Sequence, residues 1–163
     1  MDWSRMFNSR VVVFGCGNIL YGDDGFGPKV VEALNSDGSL GDGVACLDAG
    51  TSVRPLLFDL ILSDNPPERV IVVDITTDED IEPGQVKEID VSQVDPKKIG
   101  DFSMHQFPTT NLLKELQDST DIKLNILVAR ALNVPDQMYE GLTPEMEQGV
   151  TRAVSRIKEI ISQ

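Results

Sequence analysis

Apolar residues along the chain fall into short unbroken runs that alternate with stretches of helical spacing. Val11-Val12-Val13-Phe14 predicts a first strand. Val44 to Leu47 predicts a second, ending at Asp48, and Val70-Ile71-Val72-Val73 a third, ending at Asp74. Gln85 to Val91 alternates like a shorter, less buried strand, and Leu124 to Ala129 is a further buried one. Runs this continuous suit a parallel sheet covered on both faces. Between them, Phe26 to Leu34 repeats Val30, Val31 and Leu34 at helical spacing, and Val53 to Leu62 places Leu56, Leu57, Leu60 and Ile61 on one face. Pro55 fits the first turn of that second helix. Ser92 to Met104 is irregular, and a helix from about Phe107 to Gln117 follows, with Leu112, Leu113 and Leu116 as its apolar face. Thr143 stands as an N-cap, with Pro144 at the first position of a last helix running to about Ser162.

Strands and helices alternating through short links predict an α/β fold. The expectation is a single three-layer αβα domain over residues 1–163, with a mostly parallel, mixed twisted sheet of about five strands. In open α/β sheets ligands bind outside the carboxyl ends of the strands. That rule gathers Asp23 and Asp24 after the first strand, Asp48 at the end of the second and Asp74 at the end of the third.

Composition narrows the partners. The chain has 163 residues, 40% of them hydrophobic, and a net charge of −13 from 14 basic and 27 acidic residues. No Lys/Arg cluster is present, which argues against nucleic acid and anionic membrane. No apolar run approaches the roughly 18 residues of a membrane helix, and the first ten residues lack a signal-peptide core. Cys16 and Cys46 have neither metal nor CxxC spacing. They are expected at the ends of neighbouring strands as reduced thiols, and the chain reads as cytoplasmic.

The chemistry concentrates in Gly15-Cys16-Gly17-Asn18-Ile19-Leu20-Tyr21-Gly22-Asp23-Asp24-Gly25-Phe26-Gly27. This is a glycine-rich turn from strand to helix, of the kind that brings backbone close to a ligand. It carries acid instead of base, which points to a cation, a proton or a metal. His105 is the only histidine and precedes a helix. With Asp24 and Asp74 it supplies two carboxylates and one imidazole, a donor set for a divalent transition metal. Plainer roles stand beside this one. Asp23 or Asp24 could cap the following helix, Asp74 could accept backbone N–H groups, and His105 could be a solvent-exposed bystander. Asp48-Ala49-Gly50-Thr51 reads as a substrate-contact or structural turn; no second copy exists to form an aspartyl dyad. A dinucleotide site fits poorly, since the third glycine position falls on Leu20 and two carboxylates would repel a pyrophosphate. A phosphate-accepting receiver domain would need a lysine where the chain reads Val128-Ala129-Arg130-Ala131.

In their order and spacing these motifs resemble the hydrogenase maturation proteases of the HycI/HybD type, from about Arg10 to Ile161. The family's first motif, G-x-G-N-x-L-x-x-D-D/E-x-x-G, stands as Gly15 to Gly27. Its D-x-G-T turn is Asp48-Ala49-Gly50-Thr51, its strand-end acid is Asp74, its histidine motif is His105-Gln106, and its G-L-T-P is Gly141-Leu142-Thr143-Pro144. The resemblance implies an aspartic-type endopeptidase by family classification. Its substrate would be the large-subunit precursor of a [NiFe] hydrogenase, losing a C-terminal extension once nickel is inserted. Nickel would arrive with that precursor and be contacted by Asp24, Asp74 and His105, as Lewis acid or as anchor. Gly17, Asn18, Asp23, Asp48, Gly50 and Thr51 would meet the substrate, with Asp23 or Asp48 as general base; Cys16 as nucleophile is the weaker reading. Bacterial members carry Glu at the position of Asp24, so this loop has to come one methylene closer to the metal. The segment Arg130 to Tyr139 also differs from those members, and the chain looks closer to archaeal proteins that process coenzyme F420-reducing hydrogenases. A nickel-binding chaperone of the same fold that never cuts is the alternative.

Overall fold

The computed structural model describes residues 2–91 and 107–163, so His105 lies outside the described residues. Five strands form one sheet: β1 (Val11–Cys16), β2 (Val44–Gly50), β3 (Arg69–Thr76), β4 (Val86–Ile89) and β5 (Lys123–Arg130). Their order is β2-β1-β3-β5-β4. The first four in that order run parallel, and β4 pairs antiparallel with β5. The helices are α1 (Ser4–Asn8), α2 (Phe26–Asp37), α3 (Val53–Ile61), α4 (Phe107–Ser119) and α5 (Pro144–Ile161).

Alternation along each strand sends side chains to two cores. On one face Val12, Phe14, Val70 and Val72 meet Leu57 and Leu60 of α3 and Leu112, Leu113 and Leu116 of α4. On the other, Val11, Val13, Ile71 and Val73 meet Phe26, Val30 and Leu34 of α2 and Met146, Ala153 and Ile157 of α5. Helices on both faces explain why the central strands are apolar throughout: all six residues of β1 are buried. The expected three-layer αβα sheet is therefore the one observed. Among the described residues no helix is long and apolar enough to cross a membrane.

Three features depart from the sequence reading. The short helix α1 has no counterpart in the apolar pattern, because Met6 is its single buried residue. The strands also outrun their apolar segments. Gly15 pairs with Asp48, Asp74 with Val128 and Thr76 with Arg130, so the parallel ladder continues through the polar carboxyl edge. Asp48 and Asp74 thus sit within strands, where backbone pairing fixes their direction. Finally, both cysteines are free and buried, but only Cys16 ends its strand. Cys46 lies inside β2 opposite Val13 and faces the other core, since each strand alternates its side chains.

Candidate functional site

Beyond β1 the chain turns at Gly17, whose φ is +131°. A Cβ there would stand 2.0 Å from the carbonyl oxygen of Asp24, so only glycine allows the turn to close this tightly. The Asn18 N–H donates to that carbonyl at 3.0 Å and to Oδ2 of Asp24 at 3.1 Å. Oδ1 of Asn18 accepts the Leu20 N–H at 3.0 Å. The loop is thus knitted to itself, and Asp24 is held in a 3-10 turn, Gly22–Gly25, as a buried carboxylate. Gly27 brings α2 against the sheet: a Cβ there would lie 2.3 Å from the Cys16 carbonyl oxygen and 2.8 Å from that of Val73. This close approach sets the acidic turn over the ends of β1 and β3.

Asp74, near the end of β3, is buried, and its Oδ1 accepts the Ile75 N–H at 2.8 Å. Strand alternation gives it the face of Val70 and Val72, which is also the face of Cys16. Burial pushes the Cys16 thiol well above its ordinary range, and the charges of Asp74, Asp48 and Asp24 push it further. One sulfur therefore feels three of the four carboxylates that the edge rule gathers from the sequence, Asp23 being the exception. It also stays protonated, which makes it a poor nucleophile. Asp48 is half-buried, and its Oδ1 accepts the Gly50 N–H at 2.8 Å. The Gly17 N–H donates to the Gly50 carbonyl at 2.9 Å, joining the glycine turn to the second turn, where Thr51 is exposed.

Among the described residues, no group of three or more His, Cys, Asp or Glu side chains is placed to hold a metal ion. Helix α4 bears on where a further donor could enter. It ends at Ser119, shortly before Lys123, which pairs with Arg69 at the first position of β3. The end of α4 thus lies at the amino edge of the sheet. Its 13 residues span roughly 20 Å at 1.5 Å each, which returns its beginning, Phe107, to the carboxyl edge.

Asp23 has a different position from its neighbour. It is fully buried, and its carboxylate accepts the N–H groups of Leu132 (2.9 Å), Asn133 (2.8 Å) and Thr143 (2.7 Å), together with the Thr143 hydroxyl at 3.0 Å. The backbone adds three bonds between the same segments: Gly22 N–H to Tyr139 at 2.7 Å, Asp23 N–H to Asn133 at 2.9 Å, and Tyr139 N–H to Leu20 at 2.8 Å. Neither Asp23 nor Asp24 caps α2, whose N-cap is Gly25 without a side-chain bond. Thr143 occupies the N-cap position of α5, with Pro144 following, but makes no side-chain cap. Its hydroxyl goes to Asp23 instead. The loop from Ala131 to Leu142 is thereby bound to the glycine turn, a relation that no local sequence signal announces.

Comparison with known proteins agrees with this architecture. Residues 28–161 match the hydrogenase maturation protease family HycI. The chain is 34% identical over 155 residues to the coenzyme F420 hydrogenase subunit delta of Methanothermobacter thermautotrophicus, covering 93% of this chain and 94% of that protein. The hydrogenase maturating endopeptidase HybD from E. coli superposes with a TM-score of 0.72 at 27% identity, over 91% of this chain and 89% of that one. The [NiFe] hydrogenase maturation protease HycI from Thermococcus kodakarensis shares the fold, with a TM-score of 0.74 at 19% identity over 95% and 94% of the two chains. Because the family match spans residues 28–161 and the delta-subunit relative aligns over nearly all of the sequence, this chain belongs to the hydrogenase maturation protease family.

Proposed function

We propose that the chain is an endopeptidase that removes the C-terminal extension of a hydrogenase large-subunit precursor after nickel has been inserted. The relative named as a coenzyme F420 hydrogenase subunit makes a precursor of that hydrogenase class the first substrate to try. The observation that carries the reading is the convergence of buried Asp24 and Asp74 at the ends of β1 and β3, both acting on the Cys16 thiol. Two carboxylates, joined by His105 from the segment before α4, leave coordination positions for ligands that the precursor brings with its nickel. Immature precursor lacks that anchor and is spared.

The cut itself is a hydrolysis. Water adds to the carbonyl carbon of the scissile peptide, its proton passes to a carboxylate and then to the departing amine, and the C–N bond breaks. Both oxygens of Asp23 are occupied by donors of its own chain. Asp48, half-buried beside the same edge, is the carboxylate assigned to that proton.

The test is the mass of a large-subunit precursor before and after exposure to the protein, with and without nickel. The expected result is loss of a short C-terminal peptide from the nickel-loaded form alone. Asp24→Asn, Asp74→Asn and His105→Ala should each lower the rate at least 100-fold. Normal cleavage by all three variants overturns the assignment, and tight binding with no change in mass makes the protein a chaperone.

A further inference from the structure

A cavity of about 440 Å³ lies beside the acidic turn, lined by Asn133, Pro135, Met138, Tyr139, Leu142 and Pro144 among others. We infer that it seats a segment of the precursor in which a cationic side chain stands among apolar ones; this rests on the function proposed above.

Its walls are apolar and held open. Met138 is 68% exposed and Tyr139 63%, large side chains that would turn inward if the loop could fold back on itself. The loop is not at liberty to do so. Asp23 holds it at Leu132, Asn133 and Thr143, and Tyr139 is paired through its backbone to Leu20 and Gly22. A loop fixed in this way presents apolar groups at small ordering cost to a ligand. The volume falls within the range of about 300–1,000 Å³ typical of ligand pockets.

Its charge has one sign. Asp136 and Glu140 are interleaved with the lining residues, Glu145 follows the last of them, and no Lys, Arg or His occurs between Arg130 and Arg152. All three acids are exposed. One opposing charge in the neighbourhood is Lys29 of α2, whose ammonium feels Glu147 and Glu140 but is hydrogen-bonded to Glu32 at 2.9 Å. A second cavity, of about 520 Å³ beside β4 and α5, shows the contrast. There Arg156 pairs with Glu88 at 2.8 Å, and Arg152 donates to the Gly84 carbonyl at 3.3 Å, so its cations are satisfied within the chain. The acids around the Met138 cavity instead offer complementarity to an incoming cation.

Its position leads to the site. Asn133 and Thr143 line the cavity and donate to Asp23, and the next residue is Asp24. A peptide seated on Met138 and Tyr139 therefore lies beside the turn that carries Asp24.

The experiment measures steady-state cleavage of nickel-loaded large-subunit precursor by the wild type, by Met138→Ser/Tyr139→Ser, by Asp136→Lys/Glu140→Lys, and by Leu62→Ser as a control at the opposite end of the sheet. The expected result is a KM at least tenfold higher for the apolar pair and at least fivefold higher for the charge pair, with kcat falling less than KM rises. Leu62→Ser should keep the wild-type KM. Far-ultraviolet circular dichroism and unfolding midpoints verify the fold, and the charge pair, being exposed, stands in if the apolar pair fails to fold. A KM within twofold of wild type in both variants overturns the inference while leaving the proposed function standing. If the wild type does not cut the precursor, that function fails, and direct binding of the precursor to wild type and both variants then decides the cavity separately. Concentration-dependent self-association abolished by Met138→Ser/Tyr139→Ser would assign the surface to a second copy and overturn the inference as well.

Discussion

Thr143 donates both its backbone N–H, at 2.7 Å, and its hydroxyl, at 3.0 Å, to the carboxylate of Asp23, which lies 120 positions earlier in the chain. With Leu132 and Asn133 this gives one buried carboxylate four donors from a single distant loop. Asp23→Ala strands those donors, and each buried group left without a partner costs about 1–3 kcal/mol. Partial hydration reduces the sum, so the expected loss is about 3–5 kcal/mol, against about 1 kcal/mol for Thr143→Val, which removes the hydroxyl alone. Urea-unfolding midpoints measure both. Hydrogen exchange should show the 131–143 segment opening faster in Asp23→Ala; unchanged exchange there would mean that the loop is held by other contacts.

Gly27 and Gly50 make a pair that separates crowding from backbone strain. An alanine Cβ at Gly27 would meet the Cys16 and Val73 carbonyl oxygens at 2.3 and 2.8 Å, and those atoms belong to the central strands and cannot give way. Gly27→Ala is expected to lose more than about 3 kcal/mol, or to fail to fold. Gly50 has φ +55° but nothing within 4 Å of its Cβ position. Its alanine variant should lose only about 1–2 kcal/mol, the cost of left-handed backbone. Thermal melts that place the two variants together would contradict the packing of α2 on β1 and β3.

The sheet was readable because a parallel strand covered on both sides has no polar face to interrupt it, as in Val11 to Phe14. The placement of Asp24 and Asp74 at the carboxyl edge was readable because each lies after the apolar run of a strand, although the ladder runs through Asp74 and beyond it. The helix α1 was not, since five residues with one buried methionine carry no periodicity. The binding of Asp23 to Leu132, Asn133 and Thr143 was not either. Those partners lie 109 to 120 positions away, and only tertiary packing chooses between them and a local cap. Thr143 shows both sides: its position before Pro144 marks the start of α5, while the partner of its hydroxyl is set by the fold.

Cys16 provides a chemical test of the mechanism. Its thiol is buried, and the surrounding carboxylates oppose its ionisation. Alkylation by iodoacetamide at pH 8 is therefore expected to be negligible in the native state and complete once the protein is unfolded in urea. Cys16→Ala should cost about 1–2 kcal/mol of stability for the lost packing while peptide cleavage continues. Loss of cleavage in a folded Cys16→Ala protein would return the thiol to the list of reacting groups.

Cys46 makes stability depend on pH in a calculable direction. Burial raises its thiol from 9.0 to about 11, with the Arg5 charge opposing weakly. The folded protein thus holds this proton more tightly than the unfolded chain does. The resulting stabilisation is fully present below pH 9 and is lost as pH rises from 9 through 11. At about 1.4 kcal/mol per unit the loss amounts to about 3 kcal/mol. Lysines and Cys16 also titrate in alkali, so the comparison is between wild type and Cys46→Ala, which share them. The alanine cavity lowers stability by a constant amount, whereas the thiol contribution declines with pH. The gap between the two proteins in urea-unfolding free energy should hold between pH 7 and 8.5, then shift by about 2–3 kcal/mol in favour of Cys46→Ala by pH 11. A gap that stays constant throughout would show that the Cys46 thiol ionises as readily in the folded protein as in the unfolded chain, and that β2 does not bury it in solution.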